Sequence, residues 1–165
     1  MSQIKQFQKE FEKEAITTRK MLSIVPNEKY DWRPHPKSMT VRQLATHIAE
    51  LPLWIGMTLT TTELDFAANP YTPTIINDTK SLVDYFETNL LNGRKELADA
   101  KEESMDDLWT LRNGEQIYTK ESKTDFIRLT FSQVTHHRAQ LGVFLRLLDI
   151  PIPGSYGPSA DDMSF

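Results

Sequence analysis

Apolar side chains recur every three or four positions through four stretches of this chain, and each stretch ends at proline or a polar run. Such spacing lays one apolar stripe along an α-helix. Ile4, Phe7, Phe11, Ala15, Thr18 and Leu22 predict a first helix from Ile4 to about Ile24, stopped by Pro26. Asp31-Trp32-Arg33-Pro34-His35-Pro36 then reads as loop, because each proline disfavours helix in the residue before it. Thr40-Val41-Arg42-Gln43 has the form of a capping box and opens a second helix with Val41, Leu44, Ile48, Leu51 and Ile55 on one face. His47 sits beside Leu44 and Leu51. Pro52 lies inside this helix and removes the bond to the Ile48 carbonyl. A bend that wraps the bundle is the preferred consequence, and an opened turn beside His47 is the alternative.

Thr60 to Asp78 reads as loop, with Pro70 and Pro73. A third helix runs from Thr79 to about Glu102, with Leu82, Tyr85, Phe86, Leu90 and Leu97 inward. Between residues 108 and 119, Asn113-Gly114 separates two short runs and predicts a β-hairpin closed by a type I′ turn. The last helix runs to Leu148 along a seam of Phe126, Thr130, Val134, Leu141, Phe144 and Leu148. The expected fold is all-α, a four-helix bundle with a small β-hairpin between helices three and four. Residues 1–165 are expected to form one domain, with connections long enough for a topology other than simple up-down-up-down.

Composition adds exclusions. With 39% hydrophobic and 25% charged residues, the chain has the make-up of a globular domain. A formal net charge of -4 without a Lys/Arg block gives no nucleic-acid footprint. There is no cysteine, so disulfides, thiolate metal sites and a cysteine nucleophile are excluded. The first residues lack the apolar core of a signal peptide, and no apolar run approaches a membrane span. A cytoplasmic protein is therefore expected, with neither nucleic acid nor membrane as partner.

Two of the four histidines are neighbours, His136 and His137, on the last helix. The seam skips a step between Val134 and Leu141, and His137 falls in that gap; His136 is turned away by about 100°. Gln133 and His137, four apart, share a helix face. With His47 approaching from the second helix, two imidazoles and an amide oxygen could hold one ion and leave an open position. Glu50, one turn from His47, is a partner for it or an extra ligand. His136 and Glu50 are the secondary candidates. His35, between two prolines, is expected to be exposed. Arg138 and Arg146 are expected in surface or interface ion pairs, and Trp32, Trp54 and Trp109 as core or interface anchors. Asp106-Asp107 and Asp161-Asp162 are expected to be solvated.

Two segments carry a resemblance that spans nearly the whole chain. One is Ser38-Met39-Thr40-Val41-Arg42-Gln43-Leu44-Ala45-Thr46-His47-Ile48-Ala49-Glu50-Leu51. The other begins Thr135-His136-His137-Arg138-Ala139-Gln140-Leu141 and continues through Ile152-Pro153-Gly154-Ser155-Tyr156-Gly157-Pro158 to Asp161. Together they resemble the DinB family, within the DinB/YfiT-like metalloenzymes. The resemblance implies a four-helix bundle, a homodimer, and a divalent metal such as zinc or nickel held by three histidines, one on the second helix and two, four apart, on the last. His47 and His137 match the outer two positions; the middle position falls on Gln133, a neutral oxygen donor that suits such ions less well than imidazole.

The function these readings support is a divalent-metal-dependent enzyme acting on a small molecule. The resemblance implies a transferase whose metal holds a small cofactor thiol; a hydrolase that activates water is the variant. The alternative is a non-catalytic, small-ligand-binding or structural homodimeric bundle whose metal site has weakened at Gln133.

Overall fold

The computed structural model describes residues 2–164. Its helices are α1 (Gln3–Ser23), α2 (Val41–Thr60), α3 (Thr79–Asp99) and α4 (Lys123–Leu147), with strands β1 (Glu63–Asp65), β2 (Leu108–Asn113) and β3 (Gln116–Ser122). Each helix starts where a side chain can take up orphan backbone donors. Ser2 caps α1, Asp78 caps α3 and Ser122 caps α4. Thr40 and Gln43 form a reciprocal capping box on α2. The expected inward residues of α1 and α2 are all buried, as are Leu82, Phe86, Leu90 and Leu97 of α3.

The helices do not pack in chain order. α2 lies against α3 and α4, α1 lies against the same two, and α1 barely touches α2. The long connections after α2 and α3 make this arrangement possible. α2 is buried around much of its circumference, down to Thr46 and Glu50, and runs as one helix through Pro52. Opposite Pro52, α3 carries Gly93, where an added Cβ would stand 2.6 Å from Phe11 and 2.9 Å from the Pro52 carbonyl oxygen. The absence of a side chain lets α3 seat closely on both α1 and α2. Buried Asn89, one turn earlier, donates to the Ala49 carbonyl at 2.9 Å.

The sheet differs from the sequence reading in two ways. It has three strands in the order β1-β2-β3, because residues 63–65, expected as loop, pair in parallel with β2. Three residues are too few to show an alternating pattern. What holds β1 is side-chain chemistry: Arg112 pairs with Glu63 at 2.7 Å and Asp65 at 2.8 Å. The turn also differs. Asn113 pairs with Gln116, so the loop residues are Gly114-Glu115. A type I′ turn needs positive φ at both loop residues, and here only Gly114 has it, at 60°. The Asp65 carboxylate accepts the Gly114 N–H at 2.9 Å, which fixes the turn to β1 and lowers the Asp65 pKa.

The seam of α4 holds a further correction. Phe126, Thr130, Val134 and Leu141 are buried, but the gap between the last two is filled by Arg138, only 3% exposed, not by His137. Arg138 is thus no surface residue. Its guanidinium pairs with Glu14 of α1 at 2.7 Å and donates to Thr18 at 3.0 Å. Tyr156, from the segment after α4, lies over the same guanidinium at 5.4 Å and donates to Glu14 at 2.6 Å. Arg146 does pair near the surface, with Asp161. Asp161 and Asp162 are not merely solvated, since they accept backbone N–H groups of Ile152 and Gly154 and pin the C-terminal segment.

Breaking the Arg138–Glu14 pair from either side would leave a buried charge unpaired. Arg138→Ala is expected to lower unfolding free energy by about 3–5 kcal/mol in urea titration. Gly93→Ala is expected to cost about 1–3 kcal/mol by the same measurement, as an overpacked contact.

Candidate metal and ligand site

The capping box fixes the start of α2, and His47 follows two turns later on the side facing α4. Its side chain is 23% exposed, whereas that of Glu50 is 7% exposed. One turn apart on the helix, the two meet: His47 Nδ1 lies 2.7 Å from Glu50 Oε1. A carboxylate can only accept, so Nδ1 is the donor and, in the neutral ring, the Nε2 lone pair is left free. Tyr71, from the segment between β1 and α3, donates its hydroxyl to the same carboxylate at 2.8 and 3.0 Å. Partial burial, and then the Glu50 hydrogen bond and charge, push the Tyr71 phenol far above its ordinary range, so it stays a donor.

From α4, His137 approaches His47 with ring centroids 4.8 Å apart at an interplanar angle of 77°. His137 Nδ1 lies 3.0 Å from the Gln140 amide oxygen, which again makes Nδ1 the donor and frees Nε2. Burial lowers the His137 pKa, with smaller contributions from His47 and His136; the Gln140 bond opposes the shift without reversing it. His136 is exposed, and its ring stands 4.9 Å from that of His137. Gln133 is half-buried and lines a cavity of about 240 Å³ together with His47, Trp54, Phe126 and Thr130. His35 lies on the surface, where its Nδ1 accepts the Lys37 N–H. Among the described residues, no three His, Asp or Glu side chains come together as a metal-ligand group.

A cleft of about 730 Å³ opens beside His47 and Glu50. Its walls include Trp54 of α2, Phe66 and Tyr71 of the β1–α3 segment, and Tyr118 of β3. The tryptophans therefore divide. Trp109 is a core anchor, fully buried 4.2 Å from Phe126, and Trp32 packs edge-on against Phe144 at 5.7 Å. Trp54, expected as an anchor, is half-buried and lines both cavities at His47.

The sequence reading missed Tyr71 and Arg138 for different reasons. Tyr71 belongs to an irregular segment with no period to read. Arg138 was legible: it stands four after Val134 and three before Leu141, which is the helical step itself. A charged residue at a seam position signals a buried ion pair.

A helical bundle with paired imidazoles on facing helices and an adjoining cleft is the class of protein that this architecture defines. The model of the DinB family matches residues 1–164, and the chain belongs to that family. Its fold is shared by a DinB-like protein from Bacillus cereus with a TM-score of 0.72 and 19% identity, covering 94% of this chain and all of the other. YfiT from Bacillus subtilis, described as a probable metal-dependent hydrolase with an unusual four-helix bundle topology, has a TM-score of 0.65 and 13% identity over 90% of this chain and 89% of its own. A mycothiol-dependent maleylpyruvate isomerase is similar at a TM-score of 0.61 and 12% identity over 84% of this chain, which spans 60% of the isomerase. No curated protein matches the chain.

A histidine whose pKa is depressed on folding binds fewer protons in the folded chain than in the unfolded one, so acid favours unfolding. For chelator-treated protein, the His137 contribution is intact above about pH 6.5 and is lost as pH falls from there toward its lowered value. Urea midpoints measured between pH 7.5 and 5 should fall, and His137→Gln should flatten that slope.

Proposed function

We propose that the chain is a divalent-metal-dependent enzyme acting on a small molecule, with His47, Gln133 and His137 as metal ligands. One observation carries the reading. Two imidazoles from facing helices lie 4.8 Å apart while each Nδ1–H is taken up by an acceptor, so that both Nε2 lone pairs are free. Holding a ligand histidine through its other nitrogen is how metal sites fix tautomer and ring orientation, and a carboxylate partner such as Glu50 also raises the basicity of the ring. The donor set fits a zinc- or nickel-type ion, more weakly than three imidazoles would, since Gln133 offers a neutral oxygen.

Such an ion, when bound, supplies Lewis acidity, lowers the pKa of water or holds a thiol as thiolate. The chain's own residues do the rest. Glu50 keeps the His47 tautomer, Tyr71 holds Glu50, and the cleft receives the substrate and limits its access to water. Hydrolysis and thiol transfer both stay in view because the similar proteins include a probable metal-dependent hydrolase and a mycothiol-dependent isomerase. The second reading, a ligand-binding bundle without catalysis, is favoured by Gln133 standing where the family pattern has histidine. Exposed Ile16 on α1 and Val143 and Leu147 on α4 support association as a homodimer.

Purified protein should contain close to one zinc- or nickel-type ion per chain by elemental analysis. His137→Ala should abolish that content, His136→Ala should keep most of it, and Gln133→His should tighten binding. Glu50→Gln should weaken it by roughly 10- to 100-fold. Equal loss in the two histidine variants would move the ligand role to His136. Full metal content without turnover, with or without added thiol, would favour the binding-module reading.

A further inference from the structure

Two hollows meet at His47. The cleft of about 730 Å³ and the cavity of about 240 Å³ beside Gln133 share His47 and Trp54 as lining residues. We propose that the smaller one is a subsite for the apolar end of the substrate, an aromatic or alkyl group of about ten non-hydrogen atoms. This deepens the function proposed above and rests on that reading for the role of the histidines.

The wall of the cavity is mostly apolar. Leu51 and Trp54 come from α2, Leu111 from β2, and Phe126 and Leu129 from α4. The remaining lining residues are Thr130, whose hydroxyl is spent on the Phe126 carbonyl at 3.0 Å, and the proposed ligands His47 and Gln133. The cleft differs, since Arg42 and Glu50 stand in its wall. A group that covers leucine, tryptophan and phenylalanine surface therefore gains more in the cavity than a polar one does. The aromatic part of the wall is also built in advance. The rings of Trp54 and Phe126 lie within 15° of parallel, with centroids 6.4 Å apart. Phe126 is braced in turn by Trp109 at 4.2 Å, and the Trp109 indole N–H is held by Thr61 Oγ1 at 2.9 Å. Little ordering is left for a ligand to impose on such a wall.

Size sets the class of group. An apolar cavity of about 150 Å³ holds benzene, and at the same filling this one holds about ten non-hydrogen atoms. Sites for whole small molecules run to about 300–1,000 Å³. The cavity is smaller than that, so it takes one end of a molecule, and the adjoining cleft has room for the rest. Entry is open: Leu129 is 38% exposed, and Trp54, Leu111 and Gln133 are half-buried. Because His47 and Gln133 stand in the wall, a group seated here abuts two of the three proposed metal ligands. The substrate is thereby anchored beside the reacting end without using a hydrogen bond.

A ring of the right size tests this. 5-Fluoroindole, titrated into the full chain after chelator treatment and followed by fluorine NMR, should bind one per chain with a Kd no weaker than about 1 mM. Leu129→Trp, at a position exposed enough to leave folding undisturbed, should fill the cavity from its mouth and weaken binding at least tenfold. Tyr118→Ala, in the wall of the cleft alone, should leave it unchanged. On the unaltered chain, intermolecular NOEs should reach the methyl groups of Leu111 and Leu129 and not the ring of Tyr118, a result that depends on no variant. Absence of saturable binding would overturn the proposal. So would binding that survives Leu129→Trp and falls in Tyr118→Ala, or NOEs to Tyr118, either of which would put the ring in the cleft. The two readings fail separately: His137, which does not line the cavity, can be changed to Ala to remove metal while fluoroindole binding stays, whereas a failed titration leaves the metal content untouched.

Discussion

The structure depends on one constraint, the burial of α2 around most of its circumference. A helix packed against α3 on one side and α4 on another has little solvent-facing surface for polar side chains. His47 and Glu50 nonetheless sit there, and buried polar groups are costly unless paired. Glu50 is paired twice, with the His47 ring and the Tyr71 hydroxyl. That requirement ties an irregular segment to a helix and leaves a histidine with one nitrogen fixed and the other open. The candidate site is thus what remains when α2 is made central and the Glu50 carboxylate is satisfied.

A second buried ionic group performs the parallel task at α1. The Arg138–Glu14 pair joins α4 to α1, and Tyr156 adds the C-terminal segment to the same cluster. Replacing such a pair with apolar residues is often neutral or stabilising, whereas removing one partner is costly. The pair therefore sets which surfaces meet more than how strongly they hold. It also fixes the rotation of α4. With Arg138 turned toward α1, its neighbour His137 is directed toward α2, and His136 is left in solvent.

The cleft draws its walls from parts of the chain that share no local pattern. β1 is held in the sheet by Arg112 and Asp65 rather than by apolar alternation. That attachment brings Phe66, and Tyr71 after it, across from Tyr118. Aromatic surface on one side and a satisfied carboxylate on the other give the region its chemical bias.

The sequence by itself determined the helices, because periodicity and caps are local. The stripes of α1 and α2, the Thr40–Gln43 box and the stop at Pro26 all involve residues within a turn or two of each other. It also singled out His47, Gln133 and His137 as residues that helical spacing and family resemblance could bring to one end of the chemistry. Tertiary structure decided the remainder. The order in which helices pack, the parallel strand at residues 63–65 and the shift of the turn to Gly114-Glu115 all depend on partners about fifty residues or more away in several cases, or on side-chain contacts that no period encodes. So do the hydrogen bond of Tyr71 to Glu50 and the approach of the His137 ring to that of His47. The physical reason is the same throughout: a helix can be read from its own steps, but a buried polar group is explained only by the partner that folding brings to it.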